Sequence, residues 1–97
     1  MNYEITQEQL DDMKHAIGFR KDRVRGRKHL RYEAYRNYYA TREGCNGFEG
    51  LVDLTDKGLM ISRQNGTEGW FFYVSKEGIK YLSEITGVKI TELDDSL

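Results

Sequence analysis

Cys45, His15 and His29 are the side chains of this chain best suited to nucleophilic or acid–base chemistry, and each stands without a companion. Asp11 and His15 are four residues apart, the spacing of neighbours on one helix face, and such a pair is ordinarily a surface contact rather than a catalytic dyad. Cys45 lies in a Gly/Asn-rich turn with no second ligand at metal-motif spacing and no activating neighbour in sequence. Two histidines are too few to build a metal site. There is no P-loop, no GxGxxG and no Ser/His/Asp arrangement. Catalysis needs convergent groups with tuned pKa values, so the expectation is a protein that is not an enzyme, with no catalytic residues, no cofactor and no metal.

The chemistry that the sequence does offer is electrostatic. Net charge is −1, which by itself does not suggest a nucleic-acid binder. The charges are unevenly placed, however. Residues 20–42 hold nine of the fifteen Lys and Arg and only two acids, Asp22 and Glu33, so this window carries +7 and the remainder −8. Seven of those cations fall between Arg20 and Arg31. Such a segment suits phosphates, and each phosphate neutralised makes binding more salt-sensitive. Tyr32 and Tyr35, interleaved with the cations up to Arg36, offer cation–π and base-stacking surfaces. The expected nucleic-acid contacts are Arg20, Lys21, Arg23, Arg25, Arg27, Lys28, Arg31 and Arg36, with Arg63 and Asn65 as minor contributors offset by Glu68. The plainer reading is a solvated loop balanced by the acids elsewhere in the chain.

These residues need elements to position them. Ninety-seven residues make one domain, expected over 1–90, with 91–97 as an acidic, frayed tail and residues from 88 onward already running into it. Thr6 and Gln9 have capping-box spacing and Ile5 and Leu10 staple spacing, which starts a first helix. Leu10, Met13, Ala16 and Ile17 share a face, and Gly18 ends the helix with Phe19 folding back on it. Residues 20–31 read as a loop or ordered arm. Tyr32, Tyr35, Tyr38 and Tyr39 have near-helical spacing although their aromatic density favours a strand; the expectation is a helix over 32–41, which would complete a helix-turn-helix, with an extended segment as the alternative.

After the Gly44–Gly47 break, Phe48, Leu51, Val52 and Thr55 give the buried face of a helix that Gly58 ends. Leu59–Arg63 and Trp70–Val74 are strands joined around Asn65-Gly66, expected as a type I′ turn. Trp70, Phe72 and Val74 share one face; Phe71 and Tyr73 share the other. Ser75 caps a last helix whose apolar face is Ile79, Leu82 and Ile85, closed by Gly87. Helix, hairpin, capped helix is the back half of a winged helix. The fold expectation is therefore α+β and winged-helix-like, with three to four helices and a β-hairpin wing.

Four blocks of the chain, Lys14-His15-Ala16-Ile17-Gly18, Tyr35-Arg36-Asn37-Tyr38-Tyr39, Leu51-Val52…Gly58-Leu59-Met60 and Tyr73-Val74-Ser75…Gly78, resemble a group of small phage and prophage proteins of unknown function. The similarity runs from about Leu10 to Leu82. It implies a mobile-element origin and no known activity. The chain departs from that group by a longer, more basic insert at Arg20–Arg31. His15, Arg36 and Asn37 match the motif, and the latter two suit structural work: Asn tying down backbone groups, Arg pairing with an acid.

Two functions from different classes follow. The first is a phage nucleic-acid-binding or regulatory protein whose basic arm holds double-stranded DNA. The helix over 48–57 argues against conventional major-groove readout, since its expected outward positions, Glu49, Gly50, Asp53, Asp56 and Lys57, sum to −2. The second is a protein-interaction module that meets a host or phage protein, or a second copy of itself, through Glu49, Asp53, Asp56, Trp70 and Phe71. A lone cysteine and the lack of any apolar run of about 20 residues place the chain in a reducing, cytoplasmic compartment with no membrane partner.

Overall fold

The computed structural model describes residues 3–67 and 69–91. Its elements in chain order are α1 (Gln7–Ala16), a single 3₁₀ turn (Lys21–Arg23), β1 (Arg31–Glu33), β2 (Tyr39–Arg42), α2 (Phe48–Asp56), β3 (Met60–Asn65), β4 (Gly69–Val74), α3 (Lys76–Thr86) and β5 (Lys89–Thr91). The chain is thus an α+β domain of three α-helices, one antiparallel sheet of order β2-β4-β3 and one parallel pair, β1-β5.

Local chemistry sets the helix ends. The Thr6 hydroxyl accepts from the Gln9 N–H at 3.0 Å, and Gln9 Oε1 accepts from the Thr6 N–H at 2.8 Å, a closed capping box. At the other end Gly18, with φ +66°, donates to the His15 carbonyl and Phe19 to the Lys14 carbonyl, the two bonds of a Schellman motif. Gly58 and Leu59 repeat that pattern at the end of α2. Ser75 Oγ accepts from the Gly78 N–H at 3.0 Å to start α3.

The core gathers Met13, Ala16 and Ile17 of α1, Leu51 and Leu54 of α2, Phe72 and Val74 of β4, and Ile79 and Leu82 of α3, all buried. Leu54 takes the position that Val52 was expected to fill, and Val52 is exposed. Ile85 is exposed as well, because the α3 stripe turns to bury Tyr81 and Leu82.

The expected helix over 32–41 is not formed. Tyr32 lies in β1, and its buried hydroxyl donates to the Ile17 and Gly18 carbonyls at 2.9 and 2.7 Å. Tyr39 opens β2, and the two strands are linked through Asn37. Its side-chain amide accepts from the Val74 N–H at 2.7 Å and donates to the Val74 carbonyl at 2.9 Å, extending the β2–β4 ladder without a backbone. The asparagine therefore ties down backbone groups as its type suggested, whereas Arg36 pairs with no acid among the described residues: its Nη2 donates to the His15 carbonyl at 2.8 Å, at the negative end of α1.

Two further expectations change. Asn65 pairs with Gly69, so the hairpin connection is longer than the two residues of a type I′ turn. Gly66 has φ +73°, but positive φ is confined to glycines among the described residues, so Asn65-Gly66 is not a type I′ turn. Beyond Gly87 the chain does not fray at once. Val88 and Ile90 are buried, and Lys89–Thr91 forms β5 in register with β1, Tyr32 opposite Ile90. The acidic tail residues Glu92, Asp94 and Asp95, like Glu68, lie outside the described residues.

Candidate nucleic-acid interface and acidic groove

The basic arm is folded on itself. Arg25 and Arg31 exchange both backbone hydrogen bonds at 2.8 Å, closing residues 26–30 into a loop. Gly26, with φ +98°, stands so close to the His29 carbonyl that no side chain fits there. Arg31 leads directly into β1, whose Tyr32 anchors the loop to the end of α1.

Along this arm Arg20, Lys21, Arg23, Arg25, Arg27, Lys28 and Arg31 are all exposed. Arg20 pairs with Asp22 at 3.3 Å, both well exposed, a contact worth little in water. Arg23 and Arg36 set their guanidiniums over the Tyr35 ring, 5.2 and 5.6 Å from its centroid. Tyr35 itself is half-exposed and packs over Gly18, where a Cβ would stand 2.6 Å from the ring. A groove of about 660 Å³ runs beside them, lined by Arg23, Arg25, Arg31 and Lys89 against only Asp22 and Glu33 as acids. Lys89 is a cation that the sequence pattern did not point to; the parallel pairing of β5 with β1 brings it there.

Asn65 does not join this arm, and Arg63 lies on the sheet, opposite Phe71, rather than on the loop. Asn65 pairs with Gly69, at the opposite end of β4 from Val74, where Asn37 is held. Five residue steps at about 3.4 Å each put roughly 17 Å between those ends.

The α2 residues divide. Glu49 and Asp56 are exposed. Asp53 accepts from Gln9 Nε2 at 2.9 Å and from Lys57 Nζ at 2.7 Å, and the Gly50 carbonyl accepts from the same Gln9 amide at 2.9 Å. These bonds hold the Asp53 carboxyl below its ordinary pKa, Lys57 first and Gln9 second. Gln9 of α1 thus packs against Gly50 and engages Asp53, whose side chain stays about half-exposed. Trp70 and Phe71 lie on opposite faces of β4, Trp70 packed against the core.

Between α1 and the start of α2 lies a second groove, about 900 Å³, lined by six carboxylates (Glu4, Glu8, Asp12, Glu43, Glu49 and Asp53), of which Asp53 is paired with Lys57. Glu4, Glu8 and Asp12 stand at i, i+4, i+8, a spacing legible in the sequence; their convergence with Glu43 and Glu49 is not. Among the described residues no cluster of His, Cys, Asp and Glu is disposed to hold a metal ion. Cys45 lines this groove and is exposed. Hydrogen bonds from the Arg42 backbone, then from the Thr41 and Arg42 side chains, hold its thiol below the usual range. Asp11 accepts from Gln7 Nε2 at 2.9 Å, and the His15 ring packs edge-on against Tyr39, so these two side chains serve separate contacts.

Asp12 is half-buried beside Glu8 and Asp11, and its carboxyl is pushed up first by desolvation, then by those two charges, with His15 partly opposing. A carboxyl with a raised folded-state pKa adds stability below the unfolded value, 3.8, and loses it as pH climbs through the folded value. At pH 7 the charge therefore strains the fold. Asp12→Asn is expected to raise the thermal midpoint at pH 7, with each relieved like-charge helix contact worth about 0.2–0.5 kcal/mol, and to leave it unchanged near pH 3. Calorimetry at both pH values measures this; a midpoint lowered at pH 7 would refute it.

Comparisons of the chain with protein-family models, curated proteins and solved structures find no match. Among the described residues no helix is long and apolar enough to cross a membrane.

Proposed function

We propose that this chain is a winged-helix-like, nucleic-acid-binding regulatory protein of the phage and prophage kind that its motif blocks resemble, acting in the cytoplasm through its folded basic arm. The observation that carries the reading is the arm itself: seven exposed cations over residues 20–31, four of them on the loop closed by Arg25 and Arg31; of the seven, Arg20 alone is in an ion pair among the described residues. Ordering the loop beforehand lowers the entropy lost when phosphates are engaged. The order helix, strand, helix, hairpin, helix (α1, β2, α2, β3–β4, α3) supports the winged-helix comparison, with the middle helix replaced by the 20–37 arm. Recognition cannot follow the usual route, because α2 presents Glu49 and Asp56 outward and ties Asp53 to Gln9.

The test is fluorescence anisotropy with a labelled duplex over a salt series. The triple variant Arg23→Glu, Arg25→Glu, Arg27→Glu is expected to lose at least tenfold in affinity at low salt. It is also expected to flatten the slope of log K against log salt by about 2.7, at about 0.9 for each phosphate no longer neutralised. Wild-type protein with no salt-dependent binding to the duplex or to a single strand of equal length at micromolar concentration would end this reading.

A second reading has its own observation. The six-carboxylate groove fits a basic peptide segment of a host or phage protein, with Glu49 as its exposed α2 contact. Glu8→Lys with Glu49→Lys would abolish such capture and leave duplex binding intact.

A further inference from the structure

We propose that the outward face of the three-stranded sheet is a stacking platform for unpaired bases, so that the nucleic acid engaged by this protein is single-stranded. The inference rests on the nucleic-acid reading above and names its substrate class. It draws on a surface that the basic arm does not include.

Side chains alternate strictly across the sheet. Tyr39, Phe72, Val74 and Met60 point inward to the core. Their neighbours Tyr38, Ala40, Phe71, Tyr73, Ile61 and Arg63 occupy the other face. Tyr38 is 49% exposed and Ile61 55%, and the core contacts of all three helices are made on the inner side. Three aromatic rings run across this face in contact: Tyr38 to Phe71 with centroids 6.1 Å apart, and Phe71 to Tyr73 at 6.3 Å. Arg63 pairs directly opposite Phe71. No carboxylate stands at an outward strand position among the described residues.

Three considerations select the occupant. The face is small. Strands of six residues span about 20 Å, and three strands about 14 Å, giving roughly 280 Å². A stable dimer needs about 800 Å² per partner, so a second copy is poorly served. Its charge is positive, with Arg63 on the edge strand β3 opposite Phe71 and Arg42 on the other edge opposite Gly69, as a polyanion requires. It is also continuous with the arm. Tyr38 is three residues from Tyr35 and its flanking Arg23 and Arg36, a reach of at most about 11 Å along the chain. Aromatic rings on an open sheet beside cations are the arrangement that stacks bases while holding backbone phosphates. A duplex keeps its bases stacked inside and has nothing to place on such a face.

The test compares a labelled oligothymidylate, the same strand with abasic sites, and a duplex of equal length. Wild-type protein is expected to bind the thymidylate at least tenfold more tightly than the duplex or the abasic strand. Phe71→Ala and Tyr38→Ala should each weaken the single strand roughly 5- to 150-fold, the effect of removing one stacking ring, without changing the salt slope. Phe71→Trp should restore it, which guards against a folding defect. Arm reversal that abolishes binding while Phe71→Ala and Tyr38→Ala leave single-strand affinity unchanged would overturn the platform and spare the arm. A wild type that ignores every ligand would overturn both. Light scattering that finds a dimer, reduced to monomer by Phe71→Ala, would assign the face to a second copy instead and overturn the platform.

Discussion

Gly78→Ala is expected to destabilise the domain by about 3–5 kcal/mol, although helix propensity alone predicts a gain of about 0.5–1 kcal/mol for this exchange inside a helix. The reason is the way α3 is laid on the end of α2. A Cβ at Gly78 would overlap the Leu59 carbonyl oxygen and stand 2.7 Å from Val74 Cγ1. Backbone and a β-branched neighbour both resist moving. That same Leu59 carbonyl accepts from the Ser75 N–H at 3.0 Å, and Ser75 Oγ donates to the Gly58 carbonyl at 2.6 Å. Pushing α3 outward to admit the methyl group breaks these bonds and loosens the core packing of Ile79 and Leu82. Since small domains are stable by only about 5–15 kcal/mol, this is a large share of the total. Urea titration measures the loss as a lower midpoint with an unchanged slope. A midpoint at or above wild type would mean that α3 packs less closely than the structure has it.

The second large effect belongs to Asn37. Its amide satisfies both the N–H and the carbonyl of Val74. Asn37→Ala leaves two strand groups without partners in a partly buried position, and at about 1–3 kcal/mol for each group the expected loss is about 2–6 kcal/mol. Asn37→Asp is expected to cost nearly as much, because a carboxylate still accepts from the Val74 N–H but meets the Val74 carbonyl with no donor. Beyond the lower midpoint, hydrogen exchange of the Val74 and Tyr39 amides should accelerate relative to the rest of the sheet, since the start of β2 is freed. Exchange that speeds up evenly across the domain would instead mean that Asn37 acts on global stability without organising this edge. Because Val74 immediately precedes the Ser75 cap, Gly78 and Asn37 converge on one junction. This accounts physically for two of the motif blocks: the Asn of Tyr-Arg-Asn-Tyr and the Gly of Val-Ser-x-x-Gly.

The elements that were legible in the chain are those whose bonds close within a few residues. The Thr6–Gln9 box, the Gly18 and Gly58 helix stops, the two faces of β4 and the Ser75 cap all rest on partners close in sequence, or on alternation that any strand shows. The 32–41 segment defeated the same approach. Its tyrosines mimic a helical stripe, yet Tyr32 belongs to β1 and enters the core, Tyr35 covers Gly18, and Tyr38 and Tyr39 take opposite faces of β2. Each is placed by a partner far along the chain: Ile90 for β1, Phe72 and Val74 for β2. β5 escaped notice for the same reason. Three residues of modest apolarity form a strand because β1 offers them a ladder, and the sequence around Lys89 carries no sign of that offer.

The candidate site divides along the same line. Sequence by itself determined the chemistry available: a concentrated block of cations around two tyrosines, an acidic α2, and aromatics on both faces of one strand. Only the tertiary structure decided how that chemistry is grouped. It closed the arm into a loop and added Lys89 to it, set Arg63 and Asn65 apart from it, tied Asp53 to Gln9 and Lys57, and drew Tyr38 beside Phe71 and Tyr73. Composition and local spacing are properties of a chain read along its length. Which charges share a groove, and which rings share a face, depends on the pairing of segments distant in sequence, and the folded backbone alone supplies that pairing.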